Sequence, residues 1–407
     1  MKTNKSWLAL RGTSGTARSL YRQVIIAVTA MLLLLLSGGV SLLADTHYVS
    51  IGNKRPKSPY TSWSSAATNI QQAVDAATAG DEVVVGDGVY ATGWRELWTL
   101  EAHLYVRVYI PNTIVLRSLN GPQTTVIDGG LQVSCIVAAD GARLTGFTVR
   151  NGSGQSGGIY CYSTNAVVTE CVITRNQSLN GGGVIRGTLY NCALAENAAY
   201  MTGGGGVPPD NGEGGGAFGS ILYNCVLTGN LGHTGGGASY CTLYNCVLNG
   251  NGVSGSWITT EFGRAYVGSA GGGAYFSSLF NCTLTGNSST ERCGGAAYSE
   301  LYNSIVILNT VAKSAEGANY DNSSTLNYCG TSPVPKSGSG NFSLNKYKTS
   351  ALFVDYAGGN LRLRSGSPCI NAGNNAYVST ATDLEGNPRI LGGIVDVGAY
   401  EFQGSPQ

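Results

Sequence analysis

The chain has 407 residues, of which 60 are glycine, three are methionine and only 12% are charged. The formal net charge is +1, but residues 1–44 carry five basic residues and no acidic one, so the rest carries 19 basic and 23 acidic residues. No basic patch is evident, so the composition excludes nucleic acid as the expected partner. The high glycine content indicates tight turns and closely stacked backbone.

Residues 1–44 have the pattern of an export signal. Their basic residues precede an uncharged stretch from Val24 to Ala44, which includes Leu32 to Leu36. We expect cleavage near Ala44, which leaves no membrane span in the mature chain. An uncleaved anchor is the alternative, because the 21 apolar or small residues of that stretch could just span a bilayer. In both cases the protein is expected to be secreted or at the cell surface.

A short helix is predicted next, over the N-terminal opening of the repeats described below. Asn69 and Gln72 have the spacing of a capping box. Ile70, Val74 and Ala77 follow at helical spacing, and Gly80 is expected to end the helix. The first strand is then predicted to begin at Glu82.

A phrase that recurs in the middle of the chain predicts a repeat architecture. Five copies of Leu-(Tyr/Phe)-Asn-(Cys/Ser) begin at Leu189, Leu222, Leu243, Leu279 and Leu301, and a weaker copy begins at Val168. From Cys171 the steps to the next equivalent position are 21, 33, 21, 36 and 22 residues. A period of about 21 residues with two insertions is typical of a solenoid.

The residues within each repeat select the type of solenoid. Leucines alternate with Tyr or Val as in strands, and each repeat has room for about three short strands between Gly or Asn turns. Stacked coils then form parallel sheets with strands about 4.8 Å apart. We predict an all-β, single-stranded right-handed parallel β-helix of three sheets over residues 45–330. Residues 331–349 are predicted to be a loop, and residues 350–407 a C-terminal cap.

Three columns of equivalent residues are expected along the solenoid. The repeat cysteines should stack as reduced, buried side chains, while Cys329 and Cys369 lie outside that column and are candidates for a disulfide. The repeat asparagines from Asn191 to Asn303 should form an internal ladder of amides, and the asparagine that closes each repeat a second turn column. The aromatic residues from Tyr190 to Tyr302 should point outward, either stacked on one another or available to a sugar or protein partner.

The two insertions, residues 198–213 and 252–270, are the predicted place for function. Both should leave the same edge of the solenoid, with bases about 10 Å apart. Their acids and arginine are the candidate catalytic residues, and their aromatic residues the candidate ligand-binding residues. The catalytic candidates are Glu261, Arg264, Asp210 and Glu213, and the ligand-binding candidates are Trp257, Tyr266, Tyr200 and Phe262.

Two parts of the chain carry a family resemblance. The repeats of residues 140–310 resemble the right-handed β-helix proteins of the pectate-lyase-like superfamily. Three tail segments resemble the ending of secreted bacterial β-helix proteins described as choice-of-anchor Q. These segments are Ser-Pro-Cys-Ile-Asn-Ala-Gly from Ser367, Asp-Leu-Glu-Gly-Asn-Pro-Arg from Asp383 and Asp-Val-Gly-Ala-Tyr-Glu from Asp396. The resemblance implies that loops at the insertion edge wall a substrate groove.

Three functions remain open at this level. The first is binding of a polysaccharide, a cell-surface glycan or another surface partner. The second is a polysaccharide lyase, with Arg264 as base and calcium held by acids, or a glycoside hydrolase with paired acids. The third is a structural spacer. No metal or cofactor is expected outside the lyase alternative, because no histidine accompanies the cysteine column and no cluster of calcium-binding aspartates occurs. Binding is the preferred interpretation.

Overall fold

The computed structural model describes residues 44–98, 103–111, 113–200, 212–260, 263–267, 269–313 and 317–404. The chain divides into two units, Met1–Asp45 and Thr46–Gln407, and all of the sheets lie in the second. The predicted leader, apart from Ala44, falls outside the described residues.

The predicted parallel β-helix is confirmed, and each coil contributes strands to stacked sheets. Sheets A and B have eleven strands each among the described residues, all paired in parallel. Sheet A comprises Thr46–Val49, Glu82–Val85, Val115–Ser118, Arg143–Thr145, Val167–Thr169, Thr188–Tyr190, Ile221–Tyr223, Thr242–Tyr244, Ser278–Phe280, Glu300–Tyr302 and Thr325–Asn327. Sheet B comprises Gly88–Tyr90, Thr125–Asp128, Thr148–Arg150, Val172–Thr174, Ala193–Ala195, Val226–Thr228, Val247–Asn249, Thr283–Thr285, Ile305–Ile307, Gly330–Thr331 and Phe342–Ser343.

Sheet C is the third predicted sheet, and sheet D is an additional one with strands of only two residues. Sheet C begins with an antiparallel pair and continues in parallel. Its strands are Arg95–Trp98, His103–Ile110, Ser134–Ala138, Ile159–Cys161, Val184–Ile185, Ala217–Phe218, Ala238–Ser239, Ala274–Tyr275 and Ala296–Ala297. Sheet D comprises Gln177–Ser178, Ala198–Ala199, Leu231–Gly232, Gly252–Val253, Ser288–Ser289 and Thr310–Val311.

The core lies inside the coils, and longer strands such as Glu82–Val85 contribute more than one residue to it. In three-residue strands only the middle side chain points inward, so Leu222 of sheet A and Leu227 of sheet B are fully buried, as are their equivalents. Sheet C contributes small residues such as Ala217. Glycine is required where neighbouring coils approach most closely. A Cβ on Gly216 would lie 2.5 Å from the carbonyl oxygen of Gly237 in the next coil.

The N-terminal helix is present as Ile70–Ala76, with Ile70, Ala73 and Val74 buried. The side chain of Asn69 caps it by accepting the backbone N–H of Gln71. Gln71 links the helix to the solenoid, because its amide exchanges hydrogen bonds with the backbone of Tyr109. The strand that begins at Glu82 is not the first one, since Thr46–Val49 precedes it in sheet A. A 3₁₀ turn, Trp63–Ser65, lies between them.

The internal asparagine ladder is formed by the closing asparagines, not by those of the repeated phrase. Each closing side-chain oxygen accepts the backbone and side-chain N–H groups of its counterpart one coil earlier, at 2.8–3.1 Å. This ladder comprises the six closing asparagines Asn176, Asn197, Asn230, Asn251, Asn287 and Asn309, and Asn319 continues it. Its first rung, Asn176, accepts from the backbone N–H of Gly152 instead. The asparagines of the phrase instead have φ of 49–53° and form the left-handed turn between sheets A and B. The prediction for that column was wrong because a left-handed turn directs the side chain out of the coil.

All eleven cysteines are free and buried, so the predicted disulfide candidates are unpaired. Cys329 belongs to the predicted cysteine column. Its thiol approaches the carbonyls of Leu301 and Asn327, as the thiol of Cys282 approaches those of Leu243 and Phe280. Burial raises the pKa of the Cys329 and Cys369 thiols to about 12.

The two C-terminal segments cover surfaces other than those predicted. The predicted loop covers the last coil, because Asn341 bonds to the backbone of Cys329 and Leu326 and the carbonyl of Ser339 accepts from Tyr328. The predicted cap lies along the outer face of sheet B, where Phe353 joins the cluster that contains Val247. Its elements are Thr349–Leu352, the antiparallel strands Phe353–Asp355 and Asn360–Leu363, and the 3₁₀ turn Asn375–Tyr377.

Candidate functional site

The chain enters each of the two insertions from a strand of sheet D and then continues into a strand of sheet C. The first follows Ala198–Ala199 and the second follows Gly252–Val253. One strand, Leu231–Gly232, lies between them, so their bases are two strand spacings apart, or about 10 Å. They re-enter at Ala217–Phe218 and Ala274–Tyr275. Both insertions therefore stand at the border between sheets C and D.

The second insertion is an antiparallel hairpin of strands Ser256–Thr260 and Gly263–Val267. Its register places Trp257 opposite Tyr266 and Thr259 opposite Arg264, so three of the candidate residues belong to one element. Glu261 and Phe262 lie outside the described residues, as does Asp210 of the first insertion.

A groove of about 230 Å³ lies between the bases of the insertions, on sheet D. We call it the D groove. The candidate Tyr200 lines it and is 53% exposed, next to the exposed Leu231. His233 contributes a buried imidazole whose Nδ1 is 3.2 Å from the carbonyl oxygen of Ser254. The remaining lining residues are Ala199, Gly232, Gly252, Val253, Ser254 and Ser288. The D groove thus combines apolar surface with a few polar groups, as small-ligand sites do.

On the sheet C side of this border, five aromatic residues form a cluster that we call the aromatic patch. They lie at the ends of sheet C strands and in the turns that follow these strands. These residues are Phe218, Tyr240, Tyr275, Phe276 and Tyr298. Phe276 stacks between Tyr240 and Tyr298, with ring centroids 5.4 and 4.9 Å apart. Phe218 and Tyr275 meet Tyr240 edge-on at 5.6 and 6.2 Å. Tyr240 is 47% exposed. The patch therefore presents several ring surfaces to the solvent.

Charged groups lie at the edge of the aromatic patch. The candidate Glu213 pairs with Thr234 in the neighbouring coil, and its carboxylate accepts from the Thr234 hydroxyl at 3.5 Å. Arg292 lies 3.4 Å from the hydroxyl of Tyr298. Burial, and then the nearby Tyr240 and Glu213, raise the pKa of Tyr275 to about 12.

The aromatic column predicted from the repeated phrase exists, but its rings cover one another. From Tyr190 to Tyr302 successive centroids are 4.8–5.1 Å apart with interplanar angles of 7–15°. Tyr377 from the C-terminal segment contacts the last ring at 4.6 Å. Because the inner rings face each other, this arrangement favours packing over ligand binding.

The aromatic patch was missed in the sequence, although a signal for it is present. Tyr240, Phe276 and Tyr298 each stand three residues before the leucine of a repeated phrase. The regular spacing shows that they occupy equivalent turns in successive coils. Phe218 and Tyr275 each stand four residues before such a leucine, so they too occupy equivalent positions. What the spacing could not show is that rings from these two sets of positions contact one another.

Among the described residues, no group of three or more histidine, cysteine or acidic side chains is arranged to hold a metal ion. In the same part of the chain, no helix has the length and hydrophobicity needed to cross a membrane.

Comparisons with known proteins identify the fold. No family model and no curated protein matches the chain. Pectate lyase Pel9A matches with a TM-score of 0.52 at 14% identity, over 88% of this chain and 96% of that one. A Dettilon tailspike protein matches with a TM-score of 0.38 at 11% identity, over 70% and 62%. An alginate lyase from Paenibacillus sp. str. FPU-7 gives 0.32 at 12%, over 68% and 92%. The first similarity and the parallel sheets together show that this chain is a right-handed parallel β-helix protein.

Proposed function

We propose that this protein binds a polysaccharide outside the cytoplasm, through the aromatic patch and the insertions beside it. The observation that carries the proposal is the cluster of five aromatic rings where both insertions re-enter sheet C. Exposed aromatic rings offer apolar faces to the C–H groups of a sugar, and neighbouring hydroxyl and charged groups offer hydrogen bonds. Phe218 and Tyr275 supply rings, while Glu213 and Arg292 supply charge at the edge.

The choice of polysaccharide is guided by the structural similarity. One solved structure that shares the fold over most of both chains is named a pectate lyase. Pectate, with alginate and xylan for comparison, is therefore the first ligand to test.

The test is isothermal titration of these polysaccharides into the protein and two variants. Tyr240→Ala removes a ring of the aromatic patch and is expected to weaken binding by about 1 kcal/mol or more, roughly fivefold. Tyr223→Ala removes a ring of the stacked column on sheet A and is the matched control, expected to bind as the unchanged protein does. Equal affinity of all three proteins, or no binding to any polysaccharide, would contradict the proposal.

Catalysis in the groove formed by residues 198–213 and 252–270 is the second candidate function. The specific observation in its favour is Glu213, a carboxylate held at the border between the two insertions. Lyase products absorb in the ultraviolet, and hydrolase products add reducing ends. If either signal is observed and is lost in both Glu213→Gln and Arg264→Ala, the protein is an enzyme whose activity depends on these two residues. Calcium would be added in the lyase assay, since an acid-held calcium ion belongs to that alternative.

Export is part of the proposal and rests on residues 1–44. Because the tail resembles the choice-of-anchor Q ending, we also propose that the exported protein stays associated with the cell surface. N-terminal sequencing of the protein recovered outside the cytoplasm is expected to begin at Asp45. A chain that retains residues 1–44 in the membrane fraction would support the uncleaved anchor instead.

A further inference from the structure

A second exposed aromatic cluster lies far from the insertions, on the hairpin that begins sheet C. The register of strands Arg95–Trp98 and His103–Ile110 pairs Glu96 with Tyr105 and Trp98 with His103. Because side chains alternate along a strand, these four residues share one face of the hairpin. We call this face, together with Trp94, the hairpin platform.

The opposite face holds the hairpin firmly to the solenoid. Leu104 and Val106 are buried against Val137, with Leu97 packed beside them. The guanidinium of Arg95 binds Asp75 of the N-terminal helix at 2.7–2.8 Å. The hairpin platform is therefore supported by packed side chains and an ion pair.

A buried arginine fixes the start of the hairpin. Arg107 donates to the carbonyl oxygens of Asp128 and Gly129 at 3.0 and 3.2 Å, and also to that of Gly93. Gly93 directly precedes Trp94, so the backbone beside this tryptophan is held, through Arg107, to the next coil. A preorganised ring loses little freedom when a ligand stacks on it.

The hairpin platform nevertheless leaves its largest side chains in water. Trp94 is 60% exposed and Trp98 is 76% exposed. Trp98 stacks on His103 at 3.8 Å with an interplanar angle of 8°, and Trp94 meets Tyr105 edge-on at 5.0 Å. The carboxylate of Glu96 bonds to Nε2 of His103 beside these rings. Flat apolar surface next to an exposed carboxylate and imidazole suits a hydroxyl-rich ring more than a lipid tail.

The hairpin platform and the aromatic patch both lie on the outer side of sheet C. Tyr109 pairs with Val137 in that sheet, and both pack beneath the hairpin against Leu104 and Val106. Tyr162 lies 6.5 Å from Tyr109 and 6.1 Å from Tyr160, and the guanidinium of Arg186 lies 5.8 Å from the centroid of the Tyr160 ring. Six strand spacings separate Tyr105 from Tyr275, which is about 29 Å at about 4.8 Å each.

We propose that the hairpin platform is a second saccharide-contact site, which binds the same linear polysaccharide chain as the aromatic patch. This inference rests on the proposed function. It assigns the ligand class more narrowly, as a chain long enough to reach along sheet C from the insertions to the hairpin. A disaccharide or trisaccharide is too short to occupy both sites, so affinity should rise with chain length as the second contact becomes intramolecular.

The experiment compares long and short ligands of the polysaccharide that the protein binds best. Titration is performed with the polymer and with its disaccharide and trisaccharide, on the protein and on Trp94→Ala/Trp98→Ala. The double variant is expected to bind the polymer at least about tenfold more weakly, since two ring contacts are lost, and to bind the short fragments unchanged. Trp63→Ala, which removes an exposed tryptophan outside sheet C, is the matched control and should leave both affinities unchanged.

The outcomes separate this inference from the proposed function. Unchanged binding of the polymer by the double variant, or equal losses for polymer and fragments, overturns the second site while the aromatic patch stands. Absence of binding by the unchanged protein overturns both. Sedimentation with phosphatidylglycerol vesicles, lost in the double variant, would assign the hairpin platform to a lipid surface and overturn the inference. Circular dichroism melting of each variant verifies that the fold is retained.

Discussion

Arg389 and three acidic residues form a buried charged cluster in the C-terminal segment. The guanidinium donates to the carbonyl oxygens of Asp396 and Gly398 at 2.8 and 3.0 Å, and lies 3.6 Å from the carboxylate of Glu401. Asp383 and Asp396 accept several backbone N–H groups. Burial raises the pKa of Glu401 to about 7, raises that of Asp396 and lowers that of Arg389. These residues belong to two of the three tail motifs, so the motifs have a structural role.

The raised pKa of Glu401 predicts a pH-dependent stability. Between its ordinary pKa of 4.5 and about 7, the folded state keeps a proton that the unfolded chain has released. The stability from this group is present below about 4.5 and is lost as the pH rises to about 7. Glu401→Gln cannot titrate, so its melting temperature should vary less with pH across this window. Glu385→Gln, at an exposed position of the same segment, is the control. Parallel pH profiles of Glu401→Gln and the unchanged protein would contradict the prediction.

The cysteine column tolerates a hydroxyl but excludes solvent. Ser304 occupies one position and donates to the carbonyl of Tyr302 at 2.9 Å, as the neighbouring thiols do at longer distance. We therefore expect Cys246→Ser to cost less than about 1.5 kcal/mol in unfolding free energy. Thiol titration should detect none of the eleven cysteines in the folded protein and all of them in guanidinium chloride. Fewer than eleven thiols after denaturation would reveal a disulfide and refute this account.

At the scale of elements, the internal asparagine ladder holds successive coils in register. Asn251 is fully buried, and its amide makes hydrogen bonds at 2.9–3.0 Å to Asn230, Leu227 and Asn287. These bonds cross from one coil to the next and satisfy groups that water cannot reach. A polar ladder of this kind is stabilising only when each rung is complete.

Removal of one rung should therefore be costly. Asn251→Ala leaves buried N–H and C=O groups without partners, and we expect a loss of about 3 kcal/mol or more in unfolding free energy. Asn224→Ala, in the turn column between sheets A and B, removes one bond to Asn245 at 3.0 Å and should cost about 1–2 kcal/mol, mainly through its left-handed backbone. Denaturant unfolding measures both. A smaller loss for Asn251→Ala than for Asn224→Ala would reverse the assignment of the two columns.

At the scale of the whole molecule, the C-terminal segment covers the later half of sheet B. Asn245 donates to Thr380 and Thr382, and Asn303 donates to the carbonyl of Asn374. Phe353 is fully buried in the cluster formed with the outer side chains of sheet B. The segment thus uses the turn asparagines as docking points, which explains why a polar residue faces outward there.

The contact of the C-terminal segment with sheet B can be tested by truncating one buried side chain. Phe353→Ala should destabilise the docking by about 3–5 kcal/mol, as is usual for a buried phenylalanine. We expect protease cleavage to increase within residues 345–404 while the repeats stay resistant, because each coil is stabilised by its neighbours. Val334→Ala changes an exposed residue of the segment 331–349, which covers the last coil, and should not change the cleavage pattern. Cleavage that begins within the repeats would show that the segment is required for the solenoid itself.

The repeated phrase by itself determined the solenoid, its period, the inward leucines and the cysteine column. Each coil must place the same residue type against its equivalent in the next, so these contacts appear in the sequence as a period. The edge from which the insertions leave follows from the same register. Residues that depend on non-periodic contacts were decided only by the tertiary structure. Docking of residues 350–402 on sheet B rather than on the solenoid end is one case. The hairpin platform is another, because the contacts of its hairpin with Asp75 and Val137 follow no regular spacing in the chain.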